Sequence, residues 1–376
     1  MAWFFIIFLV LYSLLNYYIG LRGWQALEGA AYLRPLFLII FLFSALSYIF
    51  SKVVQKYLPT IIYETIEIIG SFWFAFMLYF FLAVVLLDVI RLVNWGFNIL
   101  PYFNNYSLVK LITLGIVTGI VILIIISGYI NTRTLKINTL NIEIPRKNSS
   151  LTELNAVLIS DIHLSSINEN GFAGDIVKKI NALHPDIVFV GGDLVDDKAA
   201  VLREKEIGFS FREIESPMGV YGITGNHEYI NGVDSSVNYM KELKVIPLRE
   251  SSITINNGFV LIGREDRSRG LKRRIPLNEL VESSEKNLPV ILLDHTPFQL
   301  EEAMENGVDL QLSGHTHHGQ MFPINLITSK IYELSQGYKK KGNTQYYVSS
   351  GVGTWGPPVR TGSRSEIVNI KIKFTK

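Results

Sequence analysis

The chain has 376 residues, 49% of them hydrophobic, with 35 Lys and Arg against 33 Asp and Glu and no cysteine. Its near-neutral charge points to no nucleic-acid surface, and the missing thiols exclude disulfides, thiolate zinc sites and cysteine nucleophiles. Hydropathy divides the chain: residues 1–131 are rich in Leu, Ile, Phe and Tyr with few charges, whereas residues 132–376 have the composition of an ordinary soluble domain.

In chain order, four stretches predict helices across a bilayer: 2–20, 36–51, 68–87 and 111–131. Crossing about 30 Å of hydrocarbon needs roughly 20 residues. The second stretch is short, but Pro35 and Lys52 can sit at the interface at its ends. The first lacks the basic start and small-residue cleavage site of a secretory leader, so it reads as a span. Trp24 and Tyr32 flank the first loop, and Trp95, Phe97, Tyr102, Phe103 and Tyr106 crowd the third. Amphipathic rings favour the headgroup region, which places these loops along the membrane surface. The polar residues inside the spans, Ser13, Asn16, Ser44 and Ser71, are uncharged and suggest no ion pathway. Four spans would put the N-terminus, second loop and C-terminal domain on one side, with Lys52, Lys56, Arg133, Lys136, Arg146 and Lys147. Arg22, Arg34, Arg91 and Lys110 would lie on the other. The positive-inside rule leans toward a cytoplasmic C-terminal domain, although the N-terminus, with only Met1 before the first span, argues the other way.

Beyond the spans, Leu135, Ile137, Leu140, Ile142 and Ile144 alternate as in a strand. Five short apolar runs then end in polar clusters, at 156–160, 186–190, 220–224, 290–293 and 308–313, each a buried strand opening into a loop. Helical spacing appears at 171–183, 235–243 and 297–306, and Asn256-Asn257-Gly258 between two apolar triplets reads as a hairpin turn. Strands alternating with helices predict an α/β layered fold, in which ligands bind at the C-terminal ends of strands.

Those ends hold the chemistry. Six of the seven histidines lie there, His163, His227, His295, His315, His317 and His318, beside Asp161, Asp193 and Asn226. An Asp-x-His pair converges only if its loop is irregular, and the adjacent glycines are expected to supply the needed backbone freedom. Imidazole and carboxylate donors suit Mn, Fe or Zn. About eight donors are too many for one four-coordinate ion and fit two ions sharing a carboxylate.

Five motifs, Asp161-Ile162-His163, Gly192-Asp193, Gly225-Asn226-His227-Glu228, His295 and Gly314-His315-Thr316-His317, resemble in order and spacing those of the calcineurin-like metallophosphoesterase family, in its membrane-anchored branch. The resemblance covers most of residues 156–350. It implies a four-layer α/β/β/α sandwich at 132–376, preceded by a transmembrane domain of about four helices at 1–131. It further implies that Asp161, His163 and His317 hold one divalent ion, that Asn226, His295 and His315 hold a second, and that Asp193 bridges them. His227 would protonate the leaving oxygen while the ions, about 3.5–4 Å apart, acidify a bridging water and clamp the phosphoryl oxygens.

Several neighbours have two readings. Asp196 or Asp197 can orient His227 or belong to a solvated loop, and Glu228 reads as structural. His318 replaces a glycine common in the family and is either a rim residue or a substrate contact. Arg360, in a Gly-Pro-Pro-x-Arg stretch similar to that of membrane-bound relatives, can grip a phosphate or form a structural salt bridge. His184 reads as a turn residue, Arg264-Glu265-Asp266-Arg267 as a loop near the site, and Lys339, Lys340 and Lys341 as a solvated face or a contact to anionic lipid. The function expected is an integral-membrane, multi-pass hydrolase of phosphate esters or pyrophosphates, whose partners are the bilayer and an amphipathic or lipid-linked phosphate. The resemblance includes pyrophosphohydrolases of UDP-linked acylated sugars. The alternatives are a membrane-moored phosphodiesterase of soluble nucleotides and a non-catalytic membrane scaffold.

Overall fold

The computed structural model describes residues 2–55, 57–166, 170–267, 274–285 and 287–376; Met1 and Lys56, which entered the orientation argument, lie outside the described residues. The chain forms two compact units, Met1–Tyr129 with Gly356–Val359, and Ile130–Trp355 with Arg360–Lys376.

Among the described residues, three apolar helical stretches are long enough to cross a membrane, Ile6–Val54, Thr60–Phe97 and Tyr106–Arg133. Most of their residues face outward, as a lipid-solvated surface requires, and the chain is membrane-associated. The first stretch comprises α1 (Ala2–Ala26) and α2 (Arg34–Val54), joined by a 3-10 segment, Leu27–Leu33, in which Ala30 leaves helical geometry. The chain doubles back there. Tyr12 Oη of α1 donates to the Ala45 carbonyl of α2 at 2.5 Å. Tyr12, Ile19, Phe41 and Ala45 form a core with Trp73 of α3 (Thr60–Phe97); α4 follows at Tyr106–Arg133. A Cβ on Gly70 would stand 2.3 Å from the Tyr48 backbone nitrogen, so the missing side chain lets α2 and α3 approach closely.

The buried amide of Asn16 is paired, as the absence of water demands. Asn16 Oδ1 accepts from Trp73 Nε1 at 2.9 Å, and Asn16 Nδ2 donates to the Tyr12 carbonyl. α3 extends past the expected span 68–87 at both ends, because nothing interrupts it between Pro59 and the left-handed Asn98. Its added turns carry charge: Glu67 pairs with Lys52, and Asp88 lies 2.6 Å from Arg22 Nη2 and 2.7 Å from Arg91 Nη1.

The second unit is built on two six-stranded sheets. The strands are β1 (Lys136–Pro145), β2 (Glu153–Ile159), β3 (Ile187–Val190), β4 (Val220–Gly222), β5 (Ile246–Pro247), β6 (Ser251–Ile255), β7 (Phe259–Gly263), β8 (Val290–Leu293), β9 (Leu310–Ser313), β10 (Gly337–Lys341), β11 (Thr344–Val348) and β12 (Glu366–Thr375). One sheet runs β1-β12-β2-β3-β4-β5 and the other β10-β11-β9-β8-β7-β6. β2, β3 and β4 are parallel, as are β7, β8, β9 and β11, so each group ends at a common edge.

Three cores account for the continuous apolar runs. Leu158, Phe189, Leu261, Leu293 and Leu312 meet between the two sheets. On the other face of β2 and β3, Val157, Ile159, Val188 and Val190 pack on Ile176 and Ile180 of the helix Asn170–Asn181. On the outer face of the second sheet, Val260, Ile262 and Leu292 pack on Leu280 and Leu300. Strands buried on both faces need no polar alternation. The strand expected after the spans is β1, and its partner is β12, in parallel from Lys136↔Glu366 to Pro145↔Thr375. The hairpin forms as read: Asn256 and Asn257 both take positive φ, 47° and 50°, between paired Ile255 and Phe259.

Candidate metal centre

Every candidate ligand follows the C-terminal end of one of five strands. Asp161 and His163 follow β2, Asp193 follows β3, Asn226 and His227 follow β4, His295 follows β8, and His315 and His317 follow β9. The turning expected of the neighbouring glycines falls mainly on the donor residues themselves. Asp161, His163, Asp193, His315 and His317 have φ between 45° and 70°, a region that Asp and His enter more readily than most residues but at a cost of about 1–3 kcal/mol each. Gly192 shares this conformation, at φ 96°. Gly225 and Gly314 serve by leaving room. A Cβ on Gly225 would meet Asp193 Oδ1 at 2.2 Å, and one on Gly314 would meet Asp161 Oδ2 at the same distance.

The side chains converge. Donor atoms of Asp161, His163 and His317 lie within 4.8 Å of one another, as do those of Asp193, His295 and His315, and those of His163, Asp193 and His227. Asp193 Oδ2 stands 3.2 Å from His295 Nε2 and 3.9 Å from His163 Nε2, between the first two groups. Asn226 joins through its Oδ1, 2.9 Å from His315 Nδ1. Asp161 is fixed by the His315 backbone N–H, at 2.9 Å, and by the Ser160 hydroxyl, at 2.6 Å.

The electrostatics call for positive charge in this space. His295 Nδ1 is 2.7 Å from the Gly191 carbonyl and must donate to it. That leaves the Nε2 lone pair aimed at a carboxylate, buried and without a hydrogen-bond partner. Only a proton or a cation makes such an approach favourable. Burial alone would lower the His295 pKa, yet the charges of Asp193 and Asp161 hold it well above the ordinary value. Burial likewise opposes ionisation of Asp193, and the charges of His295 and His163 reverse this, holding it far below the usual carboxylate range. A donor set of imidazole, carboxylate and amide, with no thiolate, fits a divalent Mn, Fe or Zn ion.

His227 stands apart in its bonding. Its Nδ1 hydrogen-bonds Asp196 Oδ1, its backbone N–H donates to Asp193 Oδ1 at 2.8 Å, and its ring meets that of His163 edge-on. Burial pulls its pKa down, but Asp196, with the charges of Asp193 and Glu228, outweighs this and raises it to about 9. Of the two neighbouring acids, Asp196 faces the imidazoles, whereas Asp197 accepts from the Ser166 backbone N–H and hydroxyl, both at 2.7 Å. Glu228 is fully buried and clamps two ligand loops. It accepts from the N–H groups of Asp193, Leu194, Val195 and Gly225, at 2.6 to 3.1 Å.

The remaining candidates fall differently. Arg360, read as gripping a phosphate or as structural, is completely buried, which favours the structural reading. Its Nη2 lies 3.1 Å from His317 Nδ1, its Nη1 donates to Ser363 Oγ at 2.8 Å, and its Nε donates to the Gly353 carbonyl. Burial lowers its pKa to about 10. Half-buried His318 has its Nδ1 3.0 Å from Ser335 Oγ. His184 is exposed in a turn with φ 48°. Asp266 accepts from Thr296 Oγ1, and its charge acts on His295 and His315. Lys339 and Lys341 pair with Glu333, and Lys341 also with Glu301, which neutralises much of that basic run.

Residues 154–319 match the family model for calcineurin-like phosphoesterases. An uncharacterized metallophosphoesterase of Aquifex aeolicus is 33% identical over 227 residues, covering 59% of this chain and 86% of that one. A transmembrane protein with metallophosphoesterase domain from Bos taurus is 31% identical over 251 residues, 62% of this chain and 56% of its own. UDP-2,3-diacylglucosamine pyrophosphatase LpxG of Chlamydia trachomatis is 23% identical over 286 residues, 61% of this chain and 87% of its own. The chain spans 60% or less of the length of several relatives it matches, the bovine one among them.

Proposed function

Because this chain belongs to the calcineurin-like phosphoesterase family, we propose that it hydrolyses a phosphate ester or anhydride at a centre of two divalent cations, Mn, Fe or Zn. The observation that carries this reading is the position of Asp193 Oδ2 between His163 and His295, with Asp161 and His317 beside the first and His315 beside the second. Asp161, His163 and His317 would hold one cation, Asn226, His295 and His315 the other, and Asp193 both. Bound cations supply Lewis acidity toward phosphoryl oxygens and lower the pKa of water. The chain supplies the rest. His227, kept protonated by Asp196, gives its proton to the leaving oxygen, and Glu228 fixes the loops bearing Asp193 and Asn226.

We read residues 132–376 as a four-layer α/β/β/α sandwich, a reading supported by the three cores. Residues 1–131 are read as a domain of four membrane crossings, supported by the doubling back of the chain at Leu27–Leu33. The charge balance of the loops favours a cytoplasmic hydrolase. The substrate assigned is amphipathic or lipid-linked. A membrane-associated chain and a relative named as a pyrophosphatase of a diacylated sugar nucleotide both favour it. The test is metal analysis of the detergent-purified chain coupled to a panel of lipid-linked diphosphates, phospholipids and soluble nucleotides. Two equivalents of metal with preference for the lipid-linked phosphates are expected. Equal or greater turnover of soluble nucleotides would remove the lipid reading, and metal without any hydrolysis would remove the enzyme.

A further inference from the structure

A cavity of about 400 Å³ lies within the helical unit, lined by α1, α2, α3 and α4, a size within the roughly 300–1,000 Å³ of small-ligand sites. On α3 its lining recurs at Trp73, Phe80, Val84, Leu87 and Arg91, one face of a helix over a rise of about 27 Å. On α4 it recurs at Lys110, Thr113, Leu114, Val117 and Thr118. The α3 stripe is apolar along its length, the α4 stripe alternates Thr113 and Thr118 with Leu114 and Val117, and both end in a cation. α1 adds Arg22. Arg22, Arg91 and Lys110 sit near the C-terminal ends of α1 and α3 and the N-terminal end of α4.

Among the described residues, the three cations have two carboxylate partners between them. Asp88 serves both Arg22 and Arg91, and Glu28 serves Lys110 at 2.5 Å. Arg22 Nε is buried and has no hydrogen-bond partner. A cavity with an apolar length and surplus positive charge at one end has the complement of a lipid: a chain of CH₂ groups carrying an anionic phosphate. Lys110 is 19 residues before Tyr129, about 28 Å along α4, so this end lies a bilayer's thickness from the point where the chain leaves the unit.

We propose that this cavity binds an anionic membrane phospholipid, with its phosphate at Arg22, Arg91 and Lys110 and an acyl chain along the α3 and α4 stripes. The proposal uses no residue of the metal centre and stands whether or not the chain is a hydrolase. Charge selects the head group, since a choline cation would be repelled where a glycerol head is not.

The test uses the full chain in detergent, with dioleoyl phosphatidylglycerol or dioleoyl phosphatidylcholine added and retained lipid counted by native mass spectrometry. Phosphatidylglycerol is expected to be held about tenfold more tightly, and millimolar inorganic phosphate is expected not to displace it. Arg91→Gln and Lys110→Gln should each weaken its retention about fivefold, the effect of one interfacial cation, while phosphatidylcholine is unaffected. Val117→Trp, which fills the cavity without changing charge, should abolish retention, and Leu123→Trp on the exposed face of α4 should not. Equal retention of the two lipids would overturn the proposal, as would wild-type retention by Val117→Trp. If Val117→Trp does not fold, the two charge variants decide, and phosphatidylglycerol retention unchanged in both would overturn it.

Discussion

Replacing Asp196 by Asn preserves the shape of the side chain beside His227 and removes its charge. The His227 pKa is raised from the ordinary 6.5 to about 9 against the pull of burial. At 1.36 kcal/mol per pH unit, that is roughly 3 kcal/mol favouring the imidazolium, supplied by Asp196 together with Asp193 and Glu228. Cations beside Asp193 would cancel most of that residue's share and leave Asp196 as the main support. Activity that depends on protonated His227 disappears as pH rises through its pKa, so the variant should lose its alkaline activity about one to two pH units earlier than wild type. The stability consequence has the same sign. A raised imidazole pKa stabilises the fold below pH 6.5 and the benefit fades as pH passes about 9, so Asp196→Asn should cost stability at pH 6 and little at pH 10. The assay is a pH–rate profile on two diesters, one with an alkoxide leaving group and one with p-nitrophenolate, which needs no proton. The shift should be large with the first and small with the second. An unmoved alkaline limb, or equal shifts with both substrates, would refute the role given to the pair.

Four other outcomes follow from the same geometry. Asp193→Asn should weaken retention of both metals together; one ion still fully bound by elemental analysis would move the bridge to another residue. His227→Ala should keep its metal and lose about 10²–10⁴-fold in turnover, whereas loss of metal would make it a ligand. Glu228→Gln places an amide where four backbone N–H groups need acceptors, and should lower unfolding stability by about 2–3 kcal/mol in a denaturant titration. Arg360→Met should leave KM for substrate unchanged once metal is saturating, because the buried guanidinium is spent on His317, Ser363 and the Gly353 carbonyl. A rise in KM with normal metal affinity would return Arg360 to the phosphate.

Much of the site was legible because its elements are local. A short strand buried on both faces is largely apolar, and the polar residues that end it mark the sheet edge. The runs ending at Asp161, Asp193, Asn226, His295 and His315 therefore announced themselves, as did the Asn256-Asn257-Gly258 turn and the helix-length apolar stretches. Tertiary structure decided what depends on partners far along the chain. β1 finds β12 more than 200 residues later, and no local pattern names that partner. Asp196 and Asp197 are adjacent and chemically alike, yet one meets His227 and the other Ser166, because the loop after β3 turns them to different sides. Arg360 carries the charge suited to a phosphate, but packing directs it inward to His317. Glu67 and Asp88 sit in an apolar helix with Lys52 and Arg22 as their partners. Sequence periodicity determines which face of an element is apolar; which charges meet across the interior follows from how those faces pack.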